Sequence, residues 1–270
     1  MTTEATEATE RAKMPEGSSV VLDNRTLQKD YSTLITTLKR GLRVLDVGCG
    51  TGAISKGIAE RVGKDGNVVG IDSSRHLIAK GQESLKGVAN AQLIKVDLFD
   101  YRPVEKFDLV VSARVLQWLS NPRQALIKFK EFLRPGGQIS ILDYNHNRLE
   151  WKPDPPVSMK RFYEAFLQWR TDAGMDNEIA EHLPIYFSEL GFHSIEIVNS
   201  NETYQKGEED FIDRVRIWSH VANLRGREMV QSGYITEKER LLAIEDYDEW
   251  AENKAELMIM KLKEIRAKFN

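Results

Sequence analysis

Three glycines alternate with other residues in the stretch LDVGCGTG: Gly48, Gly50 and Gly52. Glycine lets the backbone turn sharply and lets a ligand approach without meeting a Cβ atom. Dinucleotide loops have the spacing G-x-G-x-x-G, whereas this one is G-x-G-x-G and has Asp46 two residues before the first glycine. A carboxylate there disfavours a diphosphate and suits a cationic ligand such as S-adenosylmethionine, which carries an ammonium and a sulfonium. The loop therefore favours this methyl donor over NAD, and a plain strand–helix turn is the alternative without a ligand.

Two further acids end the next two apolar segments. Asp72 closes the segment VVGID, where a carboxylate can accept both hydroxyls of a ribose, in a dinucleotide as well as in S-adenosylmethionine. Asp97 closes IKVD and could accept from an adenine amino group, or could instead cap a turn or helix. Open α/β sheets bind ligands beyond the carboxyl ends of their strands. The acids therefore predict a nucleoside site along one sheet edge.

The segments that must position these acids alternate between strand and helix patterns. Strands are expected at 43–47, 67–71, 91–96, 107–112, 138–142 and 194–198, and helices at 30–38, 53–62, 76–85, 122–133, 184–190 and within 145–175 and 207–253. Short apolar strands alternating with helices predict a parallel sheet covered on both faces. The periodicity of residues 256–269 fits a strand or a helix.

With the motifs VLDVGCGTG, VVGID, IKVDL, FDLVVSARVLQWLSNP and LRPGGQISILD, residues 31–198 resemble the class I S-adenosylmethionine-dependent methyltransferases, in their broad bacterial small-molecule group. The resemblance implies an α/β fold with a Rossmann-like, doubly wound seven-stranded sheet of order 3-2-1-4-5-7-6. Strand 7 of that sheet is antiparallel, which favours a strand at 256–269. The implied domain organisation is a core of residues 41–199 and 254–270 with helical lid insertions at 145–175 and 207–253.

The resemblance also implies a cofactor site along the strand ends for S-adenosyl-L-methionine, with S-adenosyl-L-homocysteine as its product. The residues implied to line it are Asp46, Gly48, Cys49, Gly50 and Gly52 for the methionine part, Asp72 and Ser73 for the ribose, Asp97 and Leu98 for the adenine, and Ala113 and Arg114 near the methionine part.

Methyl transfer is an in-line displacement that depends on placing a nucleophile and excluding water. A general base is needed only where the acceptor carries a proton, so no fixed catalytic motif is expected. Tyr144 and His146, after the fifth strand, are catalytic candidates, although Tyr144 could cap the core and His146 could lie in a solvated loop. Candidates for the acceptor pocket are Gln117, Trp118, Trp151, Phe162 and Trp169. Helical spacing also fits the packing of lid helices for most of the aromatic candidates.

Composition narrows the partners and the location. Thirty-eight Lys and Arg against 41 Asp and Glu give a net charge of −3, which argues against nucleic acid as a partner. A single cysteine excludes an internal disulfide and a Cys-rich metal site, and no metal is expected. There is no apolar run of about 18–20 residues for a membrane span, and no secretory signal pattern at the start. We therefore expect a cytoplasmic protein.

The start of the chain is expected to differ from the rest. Residues 1–18 are polar, acidic and partly repetitive, which predicts a disordered tail, and residues 19–40 are expected to form a helical cap. Together, the observations favour methyl transfer to a nucleophilic O, N or C atom of a small molecule. The alternatives are a protein or RNA methyltransferase, which would need an exposed groove, and a non-catalytic regulator that binds S-adenosylmethionine.

Overall fold

The strands form one sheet in the structure, a computed structural model that describes residues 3–13 and 25–270. Within these residues the strands are β1 Arg43–Val47, β2 Asn67–Asp72, β3 Ala91–Lys95, β4 Phe107–Ala113, β5 Leu133–Lys152, β6 His193–Asn199, β7 Glu202–Gln205 and β8 Leu257–Lys268. Their order is β3-β2-β1-β4-β5-β8-β6, and β7 also pairs with β8. Strands β1–β5 pair in parallel, whereas β8 is antiparallel to β5, β6 and β7. The predicted Rossmann-like sheet is confirmed, including the antiparallel strand near residue 260.

Helices connect the strands and extend beyond them. They are α1 Thr3–Ala12, α2 Leu27–Asp30, α3 Ala53–Val62, α4 Arg75–Ser84, α5 Pro122–Phe132, α6 Val157–Asp172, α7 Ile179–Glu189, α8 Phe211–Val215, α9 Ile217–Gln231 and α10 Glu237–Asn253. Two 3₁₀ turns span Ser32–Thr36 and Leu116–Trp118. A reciprocal capping box between Thr236 and Glu239 opens α10. None of the helices in the described ranges is long and apolar enough to cross a membrane.

The sheet is buried on both faces, as a parallel sheet requires. On one face, α5 and α7 pack against the strands through fully buried rings such as Phe129 and Phe187. On the other face, α2 and α3 share a core with α6, α9 and α10. These last three helices lie together, with α10 packed against both α6 and α9. We refer to α6, α9 and α10 as the lid.

Strand β5 is much longer than the sequence indicates. The sequence predicts a strand at 138–142 and a helical insertion from residue 145. In the structure, β5 runs from Leu133 to Lys152. Its second part pairs with the start of β8, with a register shift between Asn145 and Glu150. Backbone hydrogen bonds with β8 therefore hold this polar segment in a strand conformation, although it has no strand pattern of its own. The first lid helix begins only at Val157.

The start of the chain also differs from expectation. Residues 3–12 of the tail expected to be disordered form α1, because Ala8 is buried against Ala173 and Met175. Residues 14–18 of that tail and 19–24 of the expected cap lie outside the described residues. The helix expected at 30–38 is instead α2 followed by a 3₁₀ turn. Tyr31 breaks it with φ −151° and ψ 42° and buries its ring.

A buried polar network holds this segment to the sheet. The Tyr31 hydroxyl lies 2.7 Å from Ser140 Oγ on β5, and Ser140 donates to Glu264 on β8 at 2.5 Å. Glu264 has no exposed surface and also accepts from Nε and Nη2 of Arg266, both at 2.8 Å. One carboxylate therefore links β5, β8 and the segment before β1.

We expect Glu264→Ala to lower the free energy of unfolding by about 3 kcal/mol, the lower end for a broken buried ion pair because Arg266 keeps some solvent contact. Urea denaturation measures the loss. Glu196→Ala is the matched control, since Glu196 is exposed and pairs with Arg266 across β6 and β8, and it should change stability by about 0.5 kcal/mol or less. Equal losses in the two variants would contradict this account.

Candidate active site

The glycine loop adopts backbone angles that only glycine tolerates well. Gly48, Gly50 and Gly52 have φ of 73°, 56° and 71°. A Cβ on Gly48 would lie 2.3 Å from Cγ2 of Val115, so the loop directly adjoins the end of β4. The Gly48 and Cys49 amides donate to the Ile71 carbonyl at 2.8 and 3.1 Å, which folds the loop over the end of β2.

Asp46 lies buried in β1 beneath this loop. Its Oδ2 accepts from Ser55 Oγ at 2.5 Å. Burial raises the pKa of Asp46 to about 6, with a further increase from the nearby Asp72, although the bond from Ser55 opposes the shift. A neighbouring cation would reverse this shift, so Asp46 favours a positively charged ligand.

Asp72 closes β2 and braces the loop. Its Oδ2 accepts from the Gly50 amide at 2.9 Å and its Oδ1 from the Ser74 amide at 2.8 Å. Burial raises the pKa of Asp72, and these two bonds limit the increase. Ser73 is exposed beside it. Burial and the two acids raise the pKa of the Cys49 thiol well above its usual value, so this side chain is neutral and serves packing.

Asp97 follows β3 at the same sheet edge and is exposed. Its Oδ1 accepts from the Phe99 amide at 2.8 Å, and its carbonyl accepts from Asp100 and Tyr101. In this structure Asp97 therefore has the turn role that the sequence left open. Leu98 packs partly against the core under α5, and the adenine contact implied for both residues stays a prediction.

Arg114, just after Ala113 and the end of β4, extends away from the glycine loop. It has φ of 62°, and its side chain is buried. Its Nε donates to the Tyr144 hydroxyl at 2.9 Å, while Nη2 donates to the Asp30 carbonyl at 2.9 Å and forms an ion pair with Glu202 on β7. Burial opposes the charge of Arg114, but Glu202, Tyr144 and Asp30 outweigh it and raise the pKa. Arg114 therefore links the cofactor edge to β5 and β7.

The Tyr144 phenol completes this buried cluster. Its oxygen lies 3.5 Å from Oε2 of Glu202, which also accepts from Tyr204 at 3.0 Å. Burial and the Glu202 charge raise the pKa of Tyr144 to about 12, so it stays a neutral donor. Burial raises the pKa of Glu202, but Arg114 and Arg25 more than offset this and lower it, so Glu202 is anionic.

The hydrogen bonds of His146 define its tautomer. Its Nε2 lies 2.6 Å from Oε1 of Gln117, whose Nε2 donates to the Arg114 carbonyl at 3.1 Å. The amide oxygen therefore faces His146, so Nε2 carries the proton and Nδ1 keeps its lone pair. Burial and the charge of Arg170 lower the pKa of His146 well below its usual value, which keeps the ring neutral. Among the described residues, Nδ1 has no hydrogen-bond partner.

A buried acid supports the same turn. Asp143 accepts from the amides of Tyr144 at 3.0 Å and Gln117 at 3.2 Å. Burial raises the pKa of Asp143 to about 7, against those two bonds and the charge of Arg170. Arg170 on α6 donates from Nη2 to the Gln117 carbonyl at 2.8 Å. The turn after β4 is thus fixed from the sheet and from the lid.

Aromatic rings of the lid and of β5 cover His146. Trp218 on α9 is at the centre, with ring centroids 4.6 Å from Tyr163, 5.8 Å from Phe166, 6.3 Å from His146 and 6.4 Å from Trp151. Trp218 is buried, and its Nε1 has no partner in the described part of the chain. The lid therefore presents an apolar, aromatic surface to the acceptor side of the sheet edge.

The five acceptor-pocket candidates have different surroundings in the structure. Gln117 and Trp151 contact this aromatic and polar layer, and Trp151 also donates to the Tyr247 hydroxyl at 2.9 Å. Phe162 and Trp169 are 2% and 0% exposed within the lid, so the packing alternative describes them. The Trp118 ring lies against two guanidinium groups of the lid.

Other residues of the cluster were missed from the sequence. Glu202 and Trp218 lie in segments without a motif, and their partners Arg114 and His146 are more than 70 positions away along the chain. No local pattern could have identified them. In the described ranges, no group of three His, Cys, Asp or Glu residues could hold a metal ion.

The sheet order, the glycine loop and the strand-end acids define a class I S-adenosylmethionine-dependent methyltransferase domain. Residues 38–211 match the sequence family described as "Methyltransferase domain". The chain belongs to this family. The family, the fold and the cofactor predicted from the sequence are thereby confirmed, while the roles of individual residues stay predictions.

Similar proteins include methyltransferases from three different organisms. Over 124 residues the chain is 31% identical to an uncharacterised methyltransferase of Schizosaccharomyces pombe, a match that covers 43% of this chain but only 44% of that protein. It is 27% identical to the demethylmenaquinone methyltransferase of Staphylococcus carnosus, over 59% of this chain and 71% of that protein. The solved phosphoethanolamine N-methyltransferase 2 of Haemonchus contortus, in complex with S-adenosylhomocysteine, has a TM-score of 0.55 at 16% identity, over 88% of this chain and 52% of that one. This last likeness concerns the fold alone.

We expect Asp72→Ala to weaken binding of S-adenosylhomocysteine at least about tenfold, because it removes the carboxylate that accepts from the Gly50 amide and that is predicted to accept from both ribose hydroxyls. Titration calorimetry measures the affinity, and circular dichroism checks that the fold is intact. Asp65→Ala removes an exposed acid beyond α3 and should bind like the unchanged protein. Unchanged affinity in Asp72→Ala would refute the ribose assignment.

Proposed function

We propose that the protein transfers a methyl group from S-adenosylmethionine to a nucleophilic O, N or C atom of a small molecule. One observation carries this proposal. The glycine loop directly adjoins Val115, next to Arg114, and the polar cluster of Arg114, Tyr144 and His146 lies beneath an aromatic lid. A donor site and a covered acceptor site therefore lie side by side at one sheet edge.

The chain's own residues fit this cofactor on two counts. The left-handed glycines hold the loop backbone close to the strand ends, where a Cβ at Gly48 or Gly52 would clash with Val115 or Leu93. Beneath it, the raised pKa of Asp46 reflects a buried acid that has no cationic partner among the described residues, which suits the sulfonium and ammonium groups. The cofactor supplies the reactive methyl group, and the protein binds it, orients the acceptor and excludes water.

On the acceptor side, His146 is suited to remove a proton. Its neutral Nδ1 is an acceptor, and Gln117 fixes the ring through Nε2. The backbone is held as well, because His146 N donates to Asn177 at 2.7 Å and its carbonyl accepts from Tyr163 at 2.6 Å. A fixed base costs no reorientation when the acceptor loses its proton.

The cover over the cluster supports a small acceptor. A cavity of about 360 Å³, lined mainly by residues 29–33 and 199–204, reaches the edge of this cluster at Glu202 but is not lined by His146 or by the lid rings. The lid helices cover the edge where a protein or RNA substrate would need a groove. The Staphylococcus relative is named for a small acceptor, demethylmenaquinone.

The test supplies isotopically labelled S-adenosylmethionine together with metabolite, protein and RNA fractions of a cell extract. Label is expected in the metabolite fraction. Label in protein or RNA would support the macromolecular alternatives instead. Binding of S-adenosylhomocysteine without transfer to any fraction would favour the regulator.

Asp46 predicts a pH dependence of cofactor preference. Above a pKa of about 6 its carboxylate is charged and attracts the sulfonium, which S-adenosylhomocysteine lacks. The affinity for S-adenosylmethionine relative to S-adenosylhomocysteine should therefore rise from pH 5 to pH 7 in calorimetry. In Asp46→Asn this ratio should be the same at every pH. A ratio that rises equally in the variant would exclude Asp46 as the cause.

His146→Asn is expected to lower the rate of methyl transfer from labelled S-adenosylmethionine to the metabolite fraction by about 10² to 10⁴, the usual contribution of a general base. Cofactor affinity should be unchanged. His220→Asn, which alters an exposed histidine on α9, is the control and should keep full activity. Because the pKa of His146 lies well below its usual value, its protonation should not limit the rate between pH 6.5 and 8. Full activity of His146→Asn would show that the acceptor needs no base here.

A further inference from the structure

Helix α1 is attached to the lid by one cation between two aromatic rings. The Arg11 guanidinium carbon lies 4.9 Å from the Trp169 ring centroid and 5.3 Å from that of Tyr234. Arg11 also donates to the Trp169 carbonyl and pairs with Glu7 within the helix. Tyr234 in turn donates to Asp172 at 2.7 Å. Arg11 and Tyr234 therefore link α1 to the end of α6 and to the turn before α10.

The end of α1 is bound by a second arginine. Arg225 on α9 donates from Nη1 to the carbonyls of Arg11 and Lys13, at 2.8 and 2.5 Å. A cation at a helix C-terminus is favourable because it meets the unpaired carbonyls there. The Trp118 ring centroid lies 4.8 Å from the Arg225 guanidinium carbon, so the same side chain links α1 to the turn after β4.

That turn is part of the proposed acceptor site. Trp118 follows Gln117, whose side chain fixes His146 and whose carbonyl accepts from Arg170. The Arg170 guanidinium carbon lies 4.7 Å from the Trp118 ring centroid. α1 also packs beside Trp118 through Ala8. Docking of α1 therefore holds the lid and the turn at Leu116–Trp118 against each other.

α1 cannot depend on its own helical stability. It has ten residues, and isolated helices of fewer than about 12–15 residues are marginal in water. Among the side chains that the structure describes, Ala8 and Arg11 attach α1, together with the bonds from Arg225. A helix of this length that depends on docking can open locally without unfolding the domain. α1 can thus undock while the sheet stays folded.

We propose that α1 is a latch that closes the lid over the acceptor site and, when undocked, lets the lid open. The regulatory meaning rests on the proposed function, because the lid matters only if the acceptor lies beneath it. The docking equilibrium itself is a property of the chain that can be measured with no ligand present.

The test compares Arg11→Ala with Lys13→Ala in the full-length protein. Both variants remove one positive charge near the end of α1, but within the described part of the chain the Lys13 side chain pairs only with Glu10, and both of these side chains are more than half exposed. Hydrogen exchange with mass spectrometry, first without ligand, follows peptides from α1, residues 116–118, residues 167–175 and α9. Arg11→Ala should raise their exchange about tenfold, as expected for losing cation–π and hydrogen-bond contacts, with β1 and β4 unchanged. Lys13→Ala should leave all of them unchanged.

A second measurement connects the latch to the site. Stopped-flow fluorescence should show faster association and dissociation of S-adenosylhomocysteine in Arg11→Ala, severalfold in each, because the lid opens more often. Faster exchange confined to α1, with lid peptides and ligand rates unchanged, would overturn the proposal. Faster exchange in β1 and β4 as well would also overturn it, since α1 would then be a general stabilising element. If the protein does not bind S-adenosylhomocysteine, the proposed function fails, while exchange in the ligand-free protein still decides whether the latch exists.

Discussion

The parallel register of the central strands is the constraint on which the site depends. Val47 of β1 pairs with Ile71 of β2 and with Ser112 of β4, so these three strands end at the same level. The glycine loop, Asp72 and Arg114 therefore emerge side by side, although more than 60 residues separate the first from the last. Because the strands are buried on both faces, a one-residue shift in register would move side chains fitted to one core into the other, which is strongly disfavoured. The sheet thus places the cofactor residues before any of them contacts a ligand.

The buried ion pair between Arg114 and Glu202 extends this edge to the antiparallel half of the sheet. Taking both charges out of water is costly, and additional bonds from Tyr204 to Glu202 and from Arg114 to the Asp30 carbonyl stabilise the pair, while Nη1 of Arg114 has no partner among the described residues. The Tyr144 phenol lies between the two charges and has a fixed orientation as a result. In this way a pair that adds little net stability sets the geometry of the acceptor side.

The two halves of the site differ in how far the sequence predicts them. Gly48–Gly52 and Asp72 lie at the ends of apolar segments, and a local pattern is enough to place them because parallel strands share one edge. Glu202 has no such pattern, since its position depends on pairing between β7 and β8. The second part of β5 is likewise a strand only because β8 supplies its hydrogen bonds. Local signals predict the cofactor side, and tertiary contacts create the acceptor side.

This difference has a consequence for how the site can vary. The cofactor side is held by backbone amides that donate to Asp72 and by glycine angles, so few substitutions are compatible with it. The acceptor side is assembled from β5, β7 and three lid helices through aromatic contacts such as Tyr163 with Trp218, where rings can be exchanged without changing the sheet. Under the proposed function, acceptor choice can therefore change by substitutions in the lid while the chemistry of the donor stays the same. The lone Cys49 lies on the cofactor side. Its neutral thiol packs against Gly70, where an added Cβ would lie only 2.8 Å from the Cys49 sulfur.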